Sequence, residues 1–152
     1  MECYEGATMI KTFRGLIADG GQDTIVLHTK DGSTGYRIVK FQIMGHEPGQ
    51  ADQEYVVKIY KISQSSIDNA VNFSDNTLLG VAYYQDSATV AGVASLDIIF
   101  DKEIFNQDIY ITAVDTNGAY PVNYYLELEQ VKLDLGENTV ATLKDIRNVT
   151  AP

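Results

Sequence analysis

The feature that most constrains this chain is strict alternation of apolar and polar residues over short stretches, repeated between turn signals. The segment Tyr124-Tyr125-Leu126-Glu127-Leu128-Glu129 shows it best. Side chains on a strand point to opposite faces at a period of two. Tyr124, Leu126 and Leu128 therefore belong to a core face, and Tyr125, Glu127 and Glu129 to the other. The same grammar predicts strands over 10–18, 24–29, 36–44, 54–62, 78–84, 96–100, 108–114 and 123–131. In the third, Val39, Phe41 and Ile43 are expected on one face. Residues 139–146 read as a ninth strand, at least in their first half, or as a short terminal helix.

Turn chemistry separates these segments. Asp19-Gly20-Gly21-Gln22-Asp23 and Asp115-Thr116-Asn117-Gly118 carry the small and positive-φ residues that turns need. Lys30-Asp31-Gly32-Ser33 predicts a tight hairpin, because Asp-Gly favours one. The stretches 45–53 and 63–77 read as long connections, the second with one helical turn near 67–71. Strands recurring at this spacing predict an all-β antiparallel sandwich, and the long connections favour crossings between sheets, hence a jelly-roll-like order over a simple meander. The 152 residues are enough for one domain with its own core. Residues 9–152 are read as that domain and 1–8 as a flexible N-terminal arm or extension, with Met9 as an alternative start.

Charge narrows the partners. A formal net charge of -10 repels phosphate backbones, and the cations (Lys30, Arg37, Lys40, Lys58, Lys61) are scattered among acids, so nucleic-acid binding is not expected. No run of apolar residues approaches the ~20 that cross a bilayer, so no membrane partner is expected. A single cysteine, Cys3, allows no intrachain disulfide, which suits synthesis in a reducing cytoplasm.

No catalytic or metal constellation stands out. His28 and His46 are the only histidines, and neither forms a short-spaced ligand pair with the other or with Cys3. His28 is expected to face outward beside Ile25 and Leu27. The serines lie in polar loops without a nucleophile elbow, where turn and cap chemistry accounts for them. Glu127 and Glu129 share a strand face at i and i+2; they would suit a hydrolase, but alternation already places them on a solvated face. The acidic turns lack full calcium-loop spacing, and Gly20-Gly21 is not followed by the Gly-Lys-Ser/Thr of a phosphate loop. No catalytic residue, metal ligand or cofactor is therefore assigned. The tyrosines are more informative: ten stand against five phenylalanines and no tryptophan. In Tyr83-Tyr84 and Tyr124-Tyr125 one ring should pack inside and the other stay near the surface. Tyr83, Tyr84, Tyr120 and Tyr125 are the expected partner contacts, since exposed tyrosines bury area at low entropic cost.

The segments Ile10-Lys11-Thr12-Phe13-Arg14-Gly15, Tyr36-Arg37-Ile38-Val39-Lys40-Phe41-Gln42-Ile43-Met44, Ile104-Phe105-Asn106-Gln107-Asp108-Ile109-Tyr110-Ile111 and Asn123-Tyr124-Tyr125-Leu126-Glu127-Leu128-Glu129, with Ala141-Thr142-Leu143-Lys144-Asp145-Ile146-Arg147-Asn148, resemble small virion proteins of marine tailed bacteriophages. The resemblance runs over most of the chain from Met9 onward. It implies a non-enzymatic structural role: a jelly-roll decoration or cement protein on the capsid surface, contacting the major capsid protein and self-associating as a homotrimer. The alternative is a carbohydrate-binding module of a phage tail or fibre, with Tyr83, Tyr84 or Tyr120 stacking on sugar rings.

Overall fold

The computed structural model describes residues 9–49, 52–86 and 93–133. The expected arm at 1–8 and the expected ninth strand at 139–146 lie outside them. Eight strands run in chain order: β1 (Ile10–Ile17), β2 (Gln22–Ile25), β3 (Thr34–Gly45), β4 (Gln53–Tyr60), β5 (Leu78–Asp86), β6 (Val93–Ile99), β7 (Ile109–Asp115) and β8 (Val122–Lys132). All pairings are antiparallel. They make a three-stranded sheet, β1-β8-β3, and a five-stranded sheet, β2-β7-β4-β5-β6. The all-β antiparallel sandwich expected from the alternation is the fold. There is no helix among the described residues.

The strand order has a simple origin. A long hairpin rolled over itself pairs its first strand with its last, the second with the seventh, the third with the sixth and the fourth with the fifth. Here β1 pairs β8, β2 pairs β7 and β4 pairs β5. Only the remaining pair departs: β6 joins the outer side of β5 instead of β3. The result is a jelly-roll order with one strand moved from the smaller sheet to the larger.

Between the sheets lies one apolar core. The smaller sheet contributes Ile17, Tyr36, Ile38, Phe41, Tyr124, Leu126 and Leu128, and the larger one Tyr55, Val57, Ile59, Ala82, Tyr84, Ile109 and Ile111. One ring of each tyrosine pair packs inside, as expected: Tyr124, the member assigned to the core, and Tyr84, expected among the surface contacts, while Tyr83 and Tyr125 are half-buried. A second cluster (Val56, Tyr60, Leu78 and Val81) sits on the opposite, outer face of the larger sheet. The connection 61–77 packs over part of that face, which is why β4 is buried on both sides and does not alternate. Gln22 pins this connection through Gln64: the Gln64 N–H donates to Gln22 Oε1 at 2.8 Å. Lys58, buried on β4, reaches it from below and donates to Asp68 Oδ1 at 3.2 Å and to the Ala70 carbonyl.

Four local expectations are corrected. A register shift between Ile38 and Lys40 marks a β-bulge, so Ile38 and Phe41 both point into the core and Val39 does not share their face. The second strand stops at Ile25 instead of continuing to 29. Its ladder ends where the Asp108 carboxylate takes over, accepting the N–H groups of Leu27 at 2.9 Å and His28 at 3.1 Å. The turn at 30–33 makes no hairpin, because β2 and β3 belong to different sheets. Gly32 adopts φ 67°, and Asp31 Oδ1 accepts from the Ser33 N–H at 3.0 Å and hydroxyl at 2.8 Å, so the turn redirects the chain across the sandwich. Finally, 67–71 forms bends without a helical turn; its short polar side chains bond the local backbone instead, as Asp68 does with the Ala70 N–H.

Candidate functional site

The two outer faces of the sandwich differ, and each carries one feature of interest. On the smaller sheet the register lines up outward-facing rows across three strands. Arg14, Tyr125 and Gln42 form one row, and Leu16, Asn123 and Met44 the next. All of these but Leu16 line a cleft of about 650 Å³, whose lining is completed by Gly15, Ile43 and Tyr124.

Three local features shape this cleft. Gly15 faces Tyr124 across the ladder, and a β-carbon there would stand only 2.8 Å from the Tyr124 ring. The glycine thus lets the ring pass beneath β1 and reach the other sheet, where its hydroxyl donates to Asp23 Oδ2 at 3.3 Å. Burial, with Asp23 nearby, pushes the Tyr124 hydroxyl up to about 12. Tyr125 is held by its own strand: its hydroxyl donates to Glu127 Oε2 at 2.7 Å, and that bond raises its pKa. The side chains of Arg14 and Gln42 have no hydrogen-bond or ion-pair partner among the described residues.

The neighbouring acids are engaged. Glu129 pairs with Arg37, whose Nη1 also donates to the Asp101 carbonyl at 3.2 Å. Glu127 holds Tyr125. This pair of carboxylates, weighed above as hydrolase machinery, lies on the outer face next to the cleft, and each is bound to a neighbouring side chain.

The outer face of the larger sheet carries an apolar row running across four strands: Leu96, Tyr83, Val56 and Val114. Leu96 at the β6 edge is 58% exposed, and Phe73 from the covering connection is 55% exposed. Phe73 meets Phe100 edge-on at 5.5 Å between ring centroids. Tyr83 is oriented by Glu54, whose Oε2 accepts its hydroxyl at 2.5 Å. That bond, with burial, raises Tyr83 to about 12.

The four tyrosines named from the sequence do not form one patch. Tyr83 lies on the outer face of the larger sheet and Tyr125 on the outer face of the smaller one, on opposite sides of the sandwich. Tyr120 packs at the loop end beside the main core, with its N–H on Asp115 Oδ2 at 3.1 Å. Tyr84 is inside the core, so its ring offers no outer surface. Arg14, Gln42, Met44 and Asn123 were not expected. The one sequence signal for them is Gly15: a glycine inside a strand often marks close approach by another group.

The remaining polar groups secure loops. Asp115 is buried, and its Oδ1 accepts the N–H groups of Glu54 at 3.1 Å and Asn117 at 3.2 Å. Asp19 Oδ1 accepts the Asp115 N–H at 2.8 Å. Among the described residues no group of three or more His, Cys, Asp or Glu side chains is arranged to hold a metal. His28 is exposed on its outer side and joins Asp108 through Nδ1 at 2.7 Å. Burial raises the Asp108 carboxyl, but the hydrogen bonds from His28 and Leu27 outweigh it and hold the group below its ordinary value.

No protein-family model matches the chain, and no curated protein matches it. Among solved structures, it is similar to a chain from the disulfide-linked pili that form Bacillus endospore appendages, at 10% identity and a TM-score of 0.32, over 85% of this chain and 93% of that one.

Proposed function

We propose that this chain is a non-enzymatic virion structural protein, a decoration or cement protein bound to the major capsid protein on the outside of a phage head. The observation that carries this reading is the apolar row Leu96–Tyr83–Val56–Val114 on one broad face of the sandwich, with Phe73 exposed on the connection that covers part of that face. Leu96 and Phe73 are exposed, Tyr83 and Val114 half-buried and Val56 buried between them; exposed apolar groups next to a tyrosine are the composition of a contact surface. The phage-like segments supply the choice of partner. Repetition over a lattice makes weak individual contacts jointly strong, and a trimer would add to that effect.

Separated heads and tails of the encoding phage, inventoried by mass spectrometry and imaged by electron microscopy, test the reading. The chain should be present on heads at a fixed ratio to the major capsid protein. Leu96→Glu should leave the fold intact and abolish shell binding; absence of the chain from heads would defeat the proposal. A second reading, a carbohydrate-binding module on a tail or fibre, draws support from the cleft at Arg14 and Tyr125 instead of the Tyr83, Tyr84 and Tyr120 set. Recovery from tails alone, with glycan binding, would favour it.

A further inference from the structure

We infer that the cleft on the smaller sheet binds a carboxylated sugar, with Tyr125 as the ring platform, Arg14 as the carboxylate partner and Gln42 as the hydroxyl-recognising amide. The cleft's volume of about 650 Å³ falls within the range of small-ligand sites. Its central row, Arg14–Tyr125–Gln42, spans two strand spacings, about 10 Å, close to the length of a disaccharide.

Three features select this ligand class. First, the chemistry of the row is planar and polar. A guanidinium and a carboxamide flank an aromatic ring, and Met44 adds an apolar side chain to the lining in the next row. A pyranose presents the matching surfaces: an apolar ring face and a rim of hydroxyls. Second, the charge is local. In a chain of net charge -10, Arg14 has no acidic partner among the described residues, while Arg37 along the same sheet is paired with Glu129. An anionic ligand group would satisfy Arg14, and carboxylates suit the guanidinium fork. Third, the backbone is closed to an extended peptide. The cleft lies over β8, the central strand, whose ladder bonds are taken by β1 and β3 on either side. Strand addition needs a free edge, so recognition here falls to side chains. The platform is also pre-ordered, because Glu127 fixes the Tyr125 hydroxyl before any ligand arrives.

This deepens the carbohydrate reading of the cleft and is independent of shell attachment, since the apolar row lies on the opposite face. A chain found on heads that binds no uronate would defeat only the present proposal.

The test is calorimetric titration of the full chain with oligogalacturonate and oligomannuronate trimers, each against its carboxyl-reduced neutral counterpart. At least one uronate should bind saturably, and its neutral counterpart about tenfold or more weaker. Arg14→Gln should weaken uronate binding about 10- to 100-fold, as expected for loss of a charge-assisted bond. Tyr125→Ala should weaken it about fivefold to tenfold, while Tyr125→Phe, which keeps the ring, should stay within about threefold. Circular dichroism checks that each variant is folded. No binding of any uronate at about 10 mM, well above a millimolar Kd, would overturn the proposal. So would equal binding of the neutral sugars, unchanged binding by Arg14→Gln, or tighter Arg14-dependent binding of a glutamate-rich peptide.

Discussion

Replacing Gly15 by alanine tests the packing beneath the cleft directly. The added β-carbon would stand 2.8 Å from Tyr124 Cε2, 2.9 Å from its hydroxyl oxygen and 3.0 Å from Cζ. Ordinary carbon contacts begin near 3.5 Å, so the ring must retreat by roughly 0.7 Å. It has little room, because Tyr124 is buried and its hydroxyl is bonded to Asp23 across the sandwich. Overpacking of this kind costs about 1–3 kcal/mol, and loss of the Tyr124–Asp23 bond adds about 1 kcal/mol. Alanine restricts the unfolded chain more than glycine does, which offsets about 0.4–1 kcal/mol. The net expectation is destabilisation by about 2 kcal/mol, or a fall in Tm of about 4–8 °C for a chain of this size. Urea unfolding at neutral pH measures it. The same contact fixes the double-mutant outcome. In a Tyr124→Leu background the clash is absent, so Gly15→Ala should become neutral or stabilising. A Gly15→Ala variant as stable as the parent, or equally destabilised in both backgrounds, would refute the account.

Other outcomes follow from the same geometry. Tyr55, Tyr83 and Tyr124 are each raised to about 12 from an ordinary 10. The stability linked to them is therefore complete below pH 10 and is lost as pH rises from 10 to 12. Tyr84 and Tyr125 are raised as well, so tyrosinate absorbance should rise late for five of the described tyrosines and at the ordinary pH for all of them in denaturant. Asp108 is shifted the other way, so its contribution is complete above its unfolded value of 3.8 and disappears as pH falls through its lower folded value. Asp108→Asn should shrink the gap in urea midpoint between neutral and acid pH. Lys58→Ala should cost about 2–3 kcal/mol through lost packing and freed loop contacts, while Lys58→Met should stay within about 1 kcal/mol. Hydrogen exchange near Ala70 should quicken in both. Leu126→Ala, at the centre of the core, should cost about 2–5 kcal/mol by denaturant unfolding.

Much of this architecture is legible in the sequence because strand alternation is local. The inward and outward roles of Tyr124 and Tyr125, and of Leu126 and Glu127, follow from parity alone. Parity fails where one residue is inserted: the bulge at Val39 turns that residue off its expected face and brings Tyr36 and Ile38 inward, while Phe41 and Ile43 keep theirs, and nothing in Tyr36-Arg37-Ile38-Val39-Lys40 announces it. It also fails where a distant side chain ends a ladder, as Asp108 does for β2. Asp31-Gly32 specifies a sharp turn but not which sheet the next strand joins; that choice belongs to β8, almost a hundred residues away. The cleft is hidden for a similar reason. Arg14, Tyr125 and Gln42 are far apart in sequence and become neighbours only through the register of three strands.

That register has a consequence for synthesis. Both β1 and β3 hydrogen-bond within their sheet only to β8, the last of the described strands. On a ribosome the meander of β4, β5 and β6 can zip as it emerges, yet two earlier strands wait beside it with apolar faces bare. The smaller layer closes only when a late keystone arrives, so premature termination before Val122 would yield an open half-shell prone to clumping.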